Sequence, residues 1–280
     1  MRLLTTVADP DQLAQLISDH GNEDFKTVLQ EQFKLSGNLL AAVLYAVARA
    51  TGPISVHQGC LRVEKYVNSI GRYGRMAFLS SMYGSGAELA QAFCRSCAVA
   101  GGTYVLAEPV TQITKTESGY TVELAHGTVR TKSLIMHPSY LPETALSETE
   151  LPIARRFTVL DSPALGDDTT SMLSFVDGDC VVSMLYLTSS TMVVPSGKAL
   201  VYAWTRGAYK QVKEVLERAI DCAVGAKARR LMSVGLECRT LAPSGGFTCT
   251  PGMPDESVDM DSAVVAAQAI LDKFFAGETS

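Results

Sequence analysis

The stretch Met82–Val105, MYGSGAELAQAFCRSCAVAGGTYV, sets one glycine pair ahead of an amphipathic run and a second pair behind it. A phosphate-cradling loop, a redox Cys-x-x-Cys pair and a plain glycine-bounded helix would all share this outline. The flanks place it: residues 77–82 read as a short strand, 83–86 as a loop and 87–100 as a helix with apolar residues three and four apart. Strand, glycine loop and helix make up the setting in which backbone amides hold phosphate. The residues themselves argue against that use. A dinucleotide fingerprint needs a third glycine where Leu89 stands, and Glu88 puts negative charge where a pyrophosphate would lie. The Gly-Lys-Ser/Thr of a P-loop is absent as well.

The thiols give a similar answer. Cys94 and Cys97 have Cys-x-x-Cys spacing, yet no second pair follows, and His20, His57, His126 and His137 show no companion ligand spacing. Three residues apart on a helix they share one face, so they are expected to be core residues. Seven scattered cysteines are an odd set that reads as reduced thiols, and no metal site is expected.

The rest of the chain is that of a globular protein: 280 residues, 47% hydrophobic and 19% charged, with a formal net charge of -5. Such a balance excludes intrinsic disorder and argues against general nucleic-acid binding. The longest apolar run, residues 39–48, is about half of the roughly 20 residues a membrane span requires. The start, MRLLTTVADPDQ, meets Asp9 and Asp11 before any apolar core of a secretory signal forms, so a cytosolic protein is expected.

Two regions differ in period. Residues 1–70 are helical throughout, in the runs DQLAQLISDH, DFKTVLQEQF, GNLLAAVLYAVARA and HQGCLRVEKYVNSI, with a break at Thr51-Gly52-Pro53. Residues 71–280 carry strands: 111–137 with turns at Ser118-Gly119 and His126-Gly127, then RRFTVLD, TSMLSFV, CVVSMLYL and ALVYAWT. The helices AYKQVKEVLERAIDCAV and 262–275 follow. The expected fold is α+β, a small all-α domain at 1–70 beside a sheet domain at 71–280.

The block GRYGRMAFLSSMYGSGAELAQAFCRSCAVAGGTYVLAEPV, followed by SLIMHPSYLP, resembles the Rab escort protein and Rab GDP-dissociation inhibitor family. FCRSCAV and the later SSTM favour the escort branch. The resemblance implies an α/β flavoprotein-like sheet domain that carries a platform for Rab GTPases, and a helical domain that shelters the prenyl group. It also implies GDP-form selectivity, recruitment of Rab geranylgeranyltransferase, transient membrane contact through Rab delivery, a role in vesicle transport, no catalysis and no cofactor. Platform positions fall on Glu88, Gln91, Arg95 and Thr103, with Val105 as an apolar contact and Arg72 and Tyr83 in the flanking motif. The bland alternative is that Glu88 and Arg95 are the solvated face of their helix. Leu29, Leu40, Val43, Leu44 and Val47 are candidates to line a prenyl pocket, or else make an ordinary helical core, and Phe25 is a candidate transferase contact.

Two departures shift the helix start by part of a turn: Ala87 is extra before Glu88, and Ala90 stands where proline is usual. The resemblance begins inside the family's helical domain and covers the last two-thirds of its pattern. A truncated gene model, an internal fragment or a reduced family member would each explain this; the first two, with an incomplete sheet domain, are the expectation. The competing enzyme reading is a flavin-dependent oxidoreductase sharing the sheet fold, for which no cofactor fingerprint is present, and a third reading is a non-functional truncated fragment that binds no GTPase.

Overall fold

A computed structural model describes residues 2–72, 74, 77, 79, 82–84, 86–140, 146–148, 152–166, 170–239, 241–243, 248–249 and 261–276. The chain forms two compact units. One holds Met1–Ser85, Arg155–Thr205 and Gln211–Gly235; the other holds Gly86–Ala154, Arg206–Lys210 and Leu236–Ser280. The strand expected over 77–82 lies in part outside the described residues.

The first unit opens with helices α1 (Arg2–Ala8), α2 (Pro10–His20), α3 (Phe25–Glu31), α4 (Gly37–Ala41) and α5 (Val56–Ser69). Their starts are written locally. Asp9 accepts from the amides of Asp11 and Gln12 at 3.0 and 3.2 Å, and Pro10 sits where a helix has no use for an N–H. Asp24 takes the Thr27 amide at 2.9 Å, and Ser55 and Gln58 form a capping box. The expected helix over 37–50 turns π-helical at Ala42–Val47, and its end is held by Arg62, which donates to the carbonyls of Ala48 and Arg49 at 3.3 and 3.1 Å.

These helices close one apolar core of Leu3, Val7, Leu13, Leu16, Phe25, Val28, Leu29, Leu40, Leu44, Val56, Cys60 and Val63. Phe25 and Gly59 fix its tightest contact: a Cβ on Gly59 would lie 2.3 Å from the Phe25 ring. The entries of α3 and α5 are joined by backbone hydrogen bonds, Phe25 to Ile54 and Val56 to Glu23, both 2.9 Å.

Strands β6 (Ile153–Leu160), β7 (Ser171–Asp177), β8 (Cys180–Thr188), β9 (Ala199–Arg206) and β10 (Arg230–Cys238) form a sheet in the order β10-β6-β9-β8-β7. The β7–β8 hairpin turns through Gly178 at φ 60, and β8 pairs antiparallel with β9 in the register Leu185 to Tyr202. Helix α7 (Tyr209–Val224) buries Leu216, Ala219 and Ile220. Its Glu217 pairs with Arg156 of β6 and with Arg230 of β10, the latter at 2.5 Å. Ser174 of β7 donates to the Tyr45 carbonyl at 3.2 Å, which ties sheet to helices within this unit.

The second unit contains α6 (Gly86–Val99) and a three-stranded antiparallel sheet of β1 (Val110–Thr116), β2 (Gly119–Leu124) and β3 (Gly127–Thr131). The turns fall where Gly119 and Gly127 predict them. Short pairs complete it: β4 (Ile135–Met136) with β12 (Thr248–Cys249), and β5 (Leu146–Glu148) with β11 (Leu241–Pro243); α8 (Asp261–Ala276) ends the described chain. The architecture is mixed α+β, as the sequence indicates.

Candidate GTPase-binding surface

Both glycine pairs of the opening stretch serve backbone geometry. Gly84 turns the chain at φ 101 before α6 begins at Gly86. At the other end Gly101, at φ 94, donates to the Ala98 carbonyl at 3.0 Å, and Gly102 donates to that of Cys97 at 2.9 Å. Those two bonds make a Schellman stop, which needs a left-handed residue where Gly101 stands. The start of α6 does not fit a dinucleotide: Glu88 puts negative charge in its first turn, which works against phosphate there.

On α6, Glu88, Gln91 and Arg95 are all exposed and follow one another by three and four residues. At 3.6 residues per turn, Glu88 and Arg95 point within about 20° of each other, roughly 10 Å apart along the axis. The stripe is acidic near the N-terminus and basic toward the C-terminus, the arrangement the helix dipole favours. Arg95 makes no ion pair with a described residue. Beyond the stop, Thr103 and Val105 are exposed, Val105 at 67%. The same unit anchors the following chain where Glu108 accepts from the amide of His126 at 2.6 Å.

Apolar side chains of α6 are exposed too, among them Phe93 at 74% and Val99 at 83%, and none of its described residues is buried. Cys97 is accordingly exposed and Cys94 half-buried, not the core pair that their shared helix face suggests. A helical repeat fixes which residues share a face; whether another element covers that face depends on tertiary packing.

Arg72 and Tyr83 belong to the first unit, and both are exposed. Tyr83 has φ 59 and donates its amide to the Thr191 carbonyl at 2.8 Å, fastening its loop to the turn after β8. The residues named for a prenyl pocket lie together in the helical core: Leu29, Leu40 and Leu44 are buried and Val43 and Val47 half-buried against them. Phe25 is 1% exposed, so its ring is a core element in this arrangement, with no face toward a partner. An open pocket of about 350 Å³ in the same unit is lined by Ser18, Asp19, Asn22, Glu23 and His57 with Ile17, His20 and Gly21, a polar wall unsuited to an isoprenoid. Sequence reasoning passed over the turn at 189–192 as a structural partner of Tyr83, because a backbone hydrogen bond between distant residues leaves no local signal.

The chain's likenesses agree with one another. The model of the family described as GDP dissociation inhibitor matches residues 29–178, just over half of the chain, and the match contains Arg72, Tyr83 and the α6 stripe. A rat protein named Rab proteins geranylgeranyltransferase component A 1 is 26% identical over 99% of this chain and 47% of its own length. A Drosophila melanogaster protein named Rab proteins geranylgeranyltransferase component A is 34% identical over 51% of this chain and 28% of its own. The chain thus spans at most about half the length of these relatives. Among solved structures, the Rab GDI of Plasmodium falciparum superposes with a TM-score of 0.76 at 14% identity, over 98% of this chain and 64% of that one. An oxidoreductase from Methanosarcina mazei gives 0.54 at 12% identity, over 96% and 74%. These two share the fold, and fold alone carries no chemistry. With a family match that runs through the helical core, the Tyr83 loop and α6 alike, the chain belongs to the GDP dissociation inhibitor family.

Proposed function

We propose that this chain carries the GTPase-binding surface of a Rab escort or GDP-dissociation-inhibitor-like chaperone. The carrying observation is the α6 stripe, Glu88, Gln91 and Arg95, with Thr103 and Val105 after it: polar and apolar groups exposed on a rigid helix and its stop, all inside the family match. Arg72 and Tyr83 are assigned to the same function from the first unit. Selectivity for the GDP form would arise because the switch segments of a GTPase loosen when the γ-phosphate is gone.

The names of the rat and fly relatives support Rab proteins and their geranylgeranyltransferase as partners. The division of labour is then helical residues 1–70 for the prenyl chain and 71–280 for the GTPase. Burying an isoprenoid is worth about 0.8 kcal/mol per CH₂, enough to favour a protein slot over water. Leu29, Leu40, Val43, Leu44 and Val47 would line that slot after the helical core parts. The protein acts by binding and not by catalysis, needs no cofactor, and works in the cytoplasm. Among the described residues no helix is long and apolar enough to cross a membrane.

The test is titration of GDP-loaded Rab against wild type, Arg95→Ala and Glu88→Ala. Arg95→Ala should weaken binding by about 1.5–3 kcal/mol, the range for a hydrogen bond to a charged group. Unchanged affinity removes the platform assignment and leaves the solvated face. Purified protein with stoichiometric flavin absorbance would contradict the chaperone reading altogether.

A further inference from the structure

Cys94 and Cys97 stand about one helical turn apart on α6, and Tyr104 lies close enough to both thiols for them to perturb its phenol. The helix stop brings Tyr104 there, since the Gly102 amide folds back onto the Cys97 carbonyl at 2.9 Å. Room for the thiol is also provided: a Cβ on Gly102 would lie 2.4 Å from Cys97 Sγ. Cys97 is exposed, Cys94 half-buried and Tyr104 49% exposed, so reagents in water reach the cluster. The Tyr104 phenol is pushed up to about 12, first by its hydrogen bond to Cys97, then by burial and the neighbouring thiols. It therefore keeps its O–H to donate to sulfur through the physiological range.

We propose that Cys94 and Cys97 form a reversible thiol-modification site, with Cys97 as attacking sulfur, Cys94 as resolving sulfur and a low-molecular-weight disulfide such as glutathione disulfide as co-reactant. The Cys97 thiolate attacks one glutathione sulfur; the Cys97–glutathione bond forms, the glutathione S–S bond breaks and one glutathione thiolate leaves. The Cys94 thiolate then attacks Cys97 Sγ, a Cys94–Cys97 disulfide forms and the second glutathione thiolate departs. Two protein thiols are oxidised and one disulfide is reduced to two thiols. Side chains three apart on a helix have Cβ atoms about 5–6 Å apart, while a disulfide needs about 3.5–4.5 Å. Closure therefore opens the last turn of α6, where Cys97 lies, and the bond formed is labile, as regulatory disulfides are.

The molecule carries its own comparators. Cys222 is exposed on α7 with no cysteine near it in sequence, and Cys60 is buried, its thiol pushed up to about 11 by burial and then by Glu64. The full chain is incubated in glutathione buffers, alkylated at intervals and cleaved at aromatic residues, which keeps 94–104 in one peptide. Cys97 should gain glutathione faster than Cys222, the peptide should then lose two hydrogens in mass as the disulfide closes, and Cys60 should stay reduced. Cys94→Ser should stop at the mixed disulfide on Cys97. Tyr104→Phe should slow Cys97 by roughly two- to tenfold, the equivalent of one hydrogen bond. Cys97 reacting no faster than Cys222, or Cys94→Ser accumulating no more mixed disulfide than wild type, overturns the proposal. A second arm rests on the GTPase reading: Arg95 and Thr103 flank the site, so oxidised protein should lose capture of GDP-loaded GTPase and regain it with dithiothreitol. If reduced protein captures no GTPase, that reading fails while the mass result still decides the thiol site. If capture survives oxidation, the coupling alone is lost.

Discussion

Gly59 has no side chain because the Phe25 ring fills the space one would need. Gly59→Ala should therefore overpack the helical core and cost about 1–3 kcal/mol of stability, read as a lower urea midpoint with an unchanged slope. An unchanged midpoint would mean that α3 and α5 do not meet as described. Asp161 makes a second residue-level forecast. Lys198 Nζ donates to it at 2.6 Å and Arg229 stands at 3.2 Å; the Lys198 hydrogen bond above all, with the two cations, holds its carboxyl below the ordinary value of 3.8. A carboxyl lowered in the folded state stabilises the protein above the unfolded value. That contribution is lost as pH falls through 3.8 toward the folded value. Thermal melts of Asp161→Asn should thus fall less steeply with acid in this window than those of wild type; parallel curves would contradict it.

At the scale of elements, α6 ends because Gly101 accepts a left-handed backbone. Gly101→Ala should cost about 1–2 kcal/mol locally and fray the last turn, seen as faster hydrogen exchange of the amides at 101 and 102. Equal exchange would remove the Schellman stop. What the sequence discloses follows the same logic. Helices α2, α3, α5 and α7 are legible because the caps Asp9, Asp24 and Ser55 and the face of Leu216, Ala219 and Ile220 act within a few residues. The hairpin glycines Gly119 and Gly127 act just as locally. Strand β10 is missed although Met232, Val234 and Leu236 alternate with Ser233, Gly235 and Glu237; the basic run 227–230 precedes it, Gly235 interrupts it, and its apolar side chains stand exposed on the strand. The stripe Glu88, Gln91 and Arg95 could be picked out from motif and helical spacing. The exposure of Cys97 and the bond from Tyr83 to Thr191 could not, because both depend on where distant elements lie.

At the scale of the whole molecule, family membership joins an α+β fold to a question of partners. A fold that an oxidoreductase also shares does not choose between binding and catalysis; the proposal of binding rests on the exposed charged stripe of α6 inside the family match. The measurement that tests this most directly is the affinity of the full chain for one Rab GTPase loaded in turn with GDP and with a non-hydrolysable GTP analogue, titrated side by side with Arg95→Ala. The GDP form should bind more tightly, and the variant should lose about 1.5–3 kcal/mol of that affinity with an unchanged thermal melt. Equal affinity for the two nucleotide states, or a variant that binds GDP-loaded GTPase as well as wild type, would contradict the proposed binding.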